Sequence, residues 1–319
     1  MTLNVKPRWA GEDFLSRFVN LLIQTKPIYS VMKSQARRVI IKTAEKNGIA
    51  WNKSAQAIAA QVTEQAFTQL SDSSIEYPDY YTVPFHAYDE GNLCWLAAYE
   101  AAPATYAMAL RVWPTESLTW QAAQDRLRNS FHRVLAEHGP ASVSDILDMG
   151  CSVGISTQTL HDYYDQKQGH QKQNTSVRTV GLDLSPYMLS VAQVQNTSSH
   201  IQWQHGKAED TGLPDESFDL ITLQFVIHEL PRHITKAIFT EAYRLLRPSG
   251  SIAIVDNNPQ SAVIQNLPPV LFTLMKSTEP WSDDYYTFNV EAALAEKGFE
   301  QVVTVESDPR HRTIVGRKA

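Results

Sequence analysis

At 319 residues the chain is long enough for one large domain or two smaller ones, and its 43% hydrophobic, 19% charged and 10% aromatic residues are ordinary globular values. The formal net charge of −6 and the absence of a Lys/Arg run argue against a nucleic-acid partner. Cys94 and Cys151 lie far apart and form no CxxC pair, so no metal site is expected and a reduced, cytoplasmic compartment is.

The opening MTLNVKPRWAGEDF has no apolar signal-peptide core, and no apolar run reaches the ~20 residues of a membrane span. Residues 1–140 read as helices. Phe14, Leu15, Phe18, Leu21 and Leu22 recur at helical spacing within 11–24. A second helix over 27–46 starts at Pro27 and stops at Gly48. Further helices are expected over 53–70, 92–112 and 116–138, with a bend or break at Pro103.

From Ser142 the pattern alternates. Strand-like runs at 144–150, 177–183, 201–206, 218–224 and 251–256 are separated by helical stretches at 154–164, 186–195 and 233–247. This alternation predicts an α/β, doubly wound parallel sheet. Runs at 299–307 and 311–318 are too close in sequence for anything but an antiparallel hairpin. The Gln-rich stretch 165–176 reads as a solvated loop.

The chemistry gathers at the strand ends. ILDMGCSVGIS (146–156) runs a strand into a loop framed by Gly150 and Gly154. The GxGxxG of a dinucleotide turn is not met, because Ser152 takes the second glycine's place and Ile155 the third; no P-loop lysine is present either. An acid followed by GxxxG suits a cationic ligand without phosphates, such as S-adenosylmethionine, against the bland alternative of a plain strand-to-helix turn. VRTVGLDLSPYML places Asp183 at the next strand end, either to accept ribose hydroxyls or to cap the helix opening at Pro186.

The segments DMGCSVG, GLDLS, KAEDTGLPDESFDLI and LLRPSGSIAIVD, in that order and spacing, resemble the signatures of class I S-adenosylmethionine-dependent methyltransferases, in particular the small-molecule, quinone- and sterol-type group. The resemblance covers about 142–256. It implies a Rossmann-like seven-stranded sheet with an antiparallel last strand, spanning 141–319 and preceded by an all-helical cap or substrate region over 1–140. It also implies that Asp148, Gly150, Cys151, Ser152 and Gly154 hold the methionine end of the cofactor, that Asp183 takes the ribose and Leu184 the adenine face, that Ala208 and Glu209 meet the adenine edge, and that Gln224 borders the methionine chain. Lys207 stands where many relatives carry an acid, so Glu209 or Asp210 is the candidate for the adenine amine.

His228 and Glu229, in FVIHELP, are the candidate proton acceptors from a substrate; bracing the following helix is the competing role. Among the aromatics of 79–100 and 257–288, Tyr81, His86, Tyr88, Trp281 and Tyr285 are candidates for the acceptor site, with core packing as the alternative. The expected function is methyl transfer to a small, fairly hydrophobic acceptor at oxygen or carbon. Alternatives are a non-catalytic S-adenosylmethionine-binding regulator and a nicotinamide-dependent oxidoreductase.

Overall fold

In the computed structural model, which describes residues 6–86, 88–170, 176–196 and 198–319, six helices precede the sheet. They are α1 (Phe14–Gln24), α2 (Lys26–Lys46), α3 (Trp51–Ala59), α4 (Glu64–Leu70), α5 (Trp95–Leu110) and α6 (Trp120–His138). The expected 53–70 helix is divided, because Thr63 turns extended and its hydroxyl accepts the Ala66 N–H, starting α4 afresh. By contrast, α5 is not broken at Pro103. Its Ala97, Ala98, Ala102 and Ala107 are buried against α3, α6 and α8 (Pro186–Gln195), and this packing outweighs the main-chain bond that proline removes.

The sheet comprises β1 (Asp145–Met149), β2 (Arg178–Asp183), β3 (Ile201–His205), β4 (Phe218–Gln224), β5 (Leu246–Asn257), β6 (Phe299–Glu306) and β7 (His311–Lys318). Their order is β3-β2-β1-β4-β5-β7-β6. The first five pair in parallel, and β7 runs antiparallel to both β5 and β6, as the short hairpin link required. β5 begins earlier than its apolar run, since Leu246 pairs with Phe218 ahead of an irregularity in register.

Alternate strand residues feed two cores. Leu147, Met149, Leu182, Ile221 and Leu223 pack with Ile238 and Phe239 of α9 (Arg232–Leu245). Ile146 and Leu220, on the other face, pack with Leu160 of α7 (Ile155–His170) and with Phe131, Val134 and Leu135 of α6. The Gln-rich stretch expected as a loop is therefore helical as far as His170, and 171–175 lie outside the described residues. Between β5 and β6 come α10 (Ala262–Gln265), α11 (Pro269–Thr278), α12 (Ser282–Tyr286) and α13 (Val290–Glu296). Strand order reverses between β1 and β4. A crevice opens outside the carboxyl ends of the strands at such a switch point, and both candidate loops stand there.

Candidate active site

The loop after β1 is held by its own donors. The N–H groups of Gly150 and Cys151 both donate to Leu182 O, that of Ser152 to Asp183 Oδ2 at 2.7 Å, and that of Gly154 to Cys151 O. With these donors engaged, a diphosphate would find few N–H groups to hold it, which removes the physical basis of a dinucleotide turn. Gly150 has φ +75°, and a Cβ there would lie 2.7 Å from the Val226 side chain. Gly154 (φ +80°) answers a different demand. The Trp203 indole fills the space beside it, 2.4 Å from where a Cβ would stand, and also covers Gly181.

Asp148 is not placed as expected. Its carboxyl is 1% exposed and accepts from Thr157 Oγ1 and Thr222 Oγ1, each at 2.6 Å, and from Gln224 Nε2 at 3.3 Å. It ties α7 to β4 beneath the crevice and so positions the loop; Gln224 serves the same buried knot. Burial raises the Asp148 pKa, with the three hydrogen bonds opposing.

Asp183 faces the crevice floor. Its oxygens accept the N–H groups of Ser152 and Ser185, and the nearby Tyr81 hydroxyl also favours its charged form. Burial pushes its pKa up to about 6 against these bonds. Leu184 follows it, buried. After β3, Ala208 packs on the core and Glu209 accepts from Tyr80 Oη at 2.7 Å through Oε1, while its buried Oε2 has no protein partner. The main chains of Lys207 and Asp210 pair in an isolated turn bridge, Asp210 N–H donating to Lys207 O. A small cleft lies above, lined by Tyr80, Tyr81, Val83, Phe85, Asn92, Glu229 and Leu230.

The turn after β4 (Ile227–Glu229) carries the titratable groups. His228 Nδ1 lies 2.8 Å from Oδ1 of Asp256 at the end of β5, an ion-pair distance off the axis of a hydrogen bond. Its main-chain N–H donates to Asp256 Oδ2 at 3.2 Å. His228 Nε2 faces Glu229 Oε1 at 3.9 Å, and His86 Nε2 approaches the same oxygen at 3.3 Å. Burial alone would lower the His228 pKa, but Asp256 dominates and lifts it to about 10. Burial raises Glu229 to about 8 and lowers His86 to about 3, with His228 adding to the latter. Glu279, also raised by burial, adds a third carboxyl near His228.

Of the acceptor-site candidates, Tyr81 and His86 meet the cleft residues and two others do not. Tyr88 turns its hydroxyl to Glu100 at 2.7 Å, in the pair that Glu100 makes with Arg37. Tyr285 is buried, donates to the Asn257 carbonyl, and stacks edge-on to His228 from below. Trp281 caps α12, which packs on the Ile227–Glu229 turn. Sequence reasoning missed Asp256, Tyr80 and Glu279. Only Asp256 carried a signal, as the acid closing the SIAIVD strand.

The nucleoside half of S-adenosylmethionine fits this chemistry. Asp183 is a buried carboxyl of the kind that accepts hydroxyls, and the unpartnered Glu209 oxygen suits an amine. The family model described as "Methyltransferase domain" matches residues 147–254. Two demethylmenaquinone methyltransferases are among the similar proteins. That of Bacillus licheniformis is 33% identical over 113 residues (35% of this chain, 44% of the relative), and that of Listeria monocytogenes 33% identical over 81 residues (24% and 33%). The chain thus spans less than half the length of these curated relatives. A Nostoc punctiforme structure, proposed to be an O-methyltransferase, aligns over 80% of this chain and 67% of its own, with TM-score 0.51 and 18% identity, a likeness of fold. Residues 147–254 of the chain are thus similar to the methyltransferase domain that this family model describes.

Proposed function

We propose that the chain methylates a small, fairly hydrophobic hydroxylated acceptor at oxygen or carbon, with residues 141–319 holding S-adenosylmethionine and residues 1–140 forming a cap over the acceptor. The observation that carries this reading is the buried Asp256–His228 pair beside the crevice at the β1–β4 switch point. Asp183 and Leu184 would hold the ribose and adenine, Glu209 and Ala208 the adenine edge, and Gly150, Cys151 and Ser152 the methionine end. When bound, the cofactor supplies an already activated methyl on a sulfonium, so the protein's task is alignment, exclusion of water and management of one proton.

His228 would take that proton from an acceptor hydroxyl at Nε2, while Asp256 at Nδ1 stabilises the resulting imidazolium. The product of that step is a phenolate-type anion, whose charge is shared between oxygen and ring carbon. The same base therefore serves O- and C-methylation. The names of the demethylmenaquinone relatives support a quinol-type ring as acceptor. Tyr81, His86 and Phe85 would border this ring from the cap, and Trp281 from the opposite side.

The test is formation of S-adenosylhomocysteine with a panel of hydroquinones and naphthols beside matched aryl amines. Turnover with the hydroxylated rings alone is expected. Turnover with amines alone would overturn the reading, as would retention of a nicotinamide dinucleotide in preference to S-adenosylmethionine.

A further inference from the structure

The charge of the chain is unevenly spread. Residues 1–50 hold nine of the 28 Lys+Arg and only three of the 34 Asp+Glu, so this segment is net positive within a net negative protein. The same segment exposes unusual apolar surface. On α1, Phe14, Phe18 and Leu21 are 86%, 50% and 62% exposed, and they recur at i, i+4 and i+7 on one face. On α2, Val31 and Val39 are exposed, and Arg38, Lys42 and Lys46 share their face at helical spacing. Leu271, exposed on α11, lies on the helix that packs against both.

This face does not arise from a loosely attached helix. The opposite side of α1 is anchored: Val19 joins the main core with Leu15 and Ile23, and Ser16 and Asn20 reach Asp283, which pairs with Lys276 at 2.7 Å. Large aromatic side chains turned into solvent from an anchored helix mark an interaction surface. Which partner it fits is decided by the neighbouring charge. A second copy of this chain would bring the same positive helix against itself. An anionic bilayer offers hydrocarbon for Phe14, Phe18 and Leu21 and lipid phosphates for Arg38, Lys42 and Lys46.

We propose that α1 and α2 dock this protein reversibly on anionic membrane surfaces, the aromatic face of α1 entering the interface and the basic face of α2 meeting the headgroups. No helix among the described residues is long and apolar enough to cross a membrane, so this would be attachment to one leaflet. The proposal stands apart from the proposed reaction, because binding is read with neither cofactor nor acceptor present.

The experiment is co-sedimentation of the full chain with vesicles of phosphatidylcholine alone or with about one quarter phosphatidylglycerol. Binding to the anionic vesicles only, weakened by added salt, is expected. Phe14→Ser with Phe18→Ser, and separately Arg38→Glu with Lys42→Glu, should each lower the partition coefficient about tenfold or more. Circular-dichroism melts of these surface variants should match the parent, which keeps a folding defect distinguishable. Absence of binding, binding by both variants as tight as the parent's, or sedimentation velocity showing that Phe14→Ser with Phe18→Ser merely splits a stable dimer would each overturn it.

Discussion

One carboxylate holds His228 at two points: Asp256 Oδ1 lies 2.8 Å from the ring Nδ1, and Oδ2 accepts the His228 main-chain N–H at 3.2 Å. The ring is thereby fixed relative to β5 while Nε2 is turned toward Glu229. Because Asp256 lifts the imidazole pKa to about 10, the neutral form needed for proton abstraction grows as pH rises. Turnover is therefore expected to climb through the alkaline range. Asp256→Asn removes the stabilising charge, so the ascending limb should move to lower pH while the plateau rate falls. His228→Ala should lower turnover about 10²–10⁴-fold with cofactor affinity retained. A pH–rate profile of Asp256→Asn superimposing on that of the parent would leave His228 a brace for the turn.

The same groups predict how stability varies with pH. A histidine raised from 6.5 to about 10 on folding contributes fully below pH 6.5, and this contribution is lost as pH climbs toward 10. Glu229, raised from 4.5 to about 8, holds in the fold a proton that the unfolded chain has already released, so stability also falls between those values. His86 and His132, lowered to about 3 and 4, act in the opposite sense, but only below about pH 6.5. Between pH 7 and 9.5 the unfolding temperature should therefore decline steadily. Glu229→Gln should flatten the part between 7 and 8. A melting temperature constant over this range would contradict these assignments.

Gly154 offers a test of the loop. Gly154→Ala places a Cβ 2.4 Å from the Trp203 ring in a backbone with φ +80°, combining overlap with left-handed strain. A loss of about 2–4 kcal/mol is expected by denaturant titration. Trp203→Leu in the same background should recover part of it. If the double variant is no more stable than Gly154→Ala alone, the indole is not what demands the glycine.

Much of the fold was legible because local signals agreed. Ser185-Pro186 both caps and starts α8, and the three residues between the runs 299–307 and 311–318 left only a hairpin. Elements were misjudged where distant packing decided them. Pro103 looked like a breaker, but α5 is embedded on several sides. Asp148 looked like a ligand-binding acid because a strand end shows its position and not its partners. Only the approach of α7 and β4 brings in Thr157 and Thr222 to engage it. Asp256 lies 28 residues from His228, and nothing in the spacing announces a pair that exists because β4 and β5 are neighbours. The cap contacts of Tyr80 and Tyr81 depend likewise on how the segment after α4 crosses the strand ends.

Tyr81 gives the sharpest test of where the cofactor sits. Its hydroxyl lies near Asp183, the carboxyl proposed to accept the ribose hydroxyls, and favours its charged form, so cap and nucleoside would compete for the same oxygens. Removing the competitor without removing the ring should favour the ligand. Tyr81→Phe is expected to tighten S-adenosylhomocysteine binding, by at most the roughly tenfold that one net polar contact gives. Asp183→Ala should instead weaken it, by about 1.5–3 kcal/mol for a charged acceptor, and should also loosen the loop, since Ser152 and Ser185 lose their shared partner. Calorimetry on the two variants separates the possibilities. If Tyr81→Phe weakens binding as Asp183→Ala does, the tyrosine supports the site rather than competing for it. If neither changes the affinity, the nucleoside is not held at the end of β2.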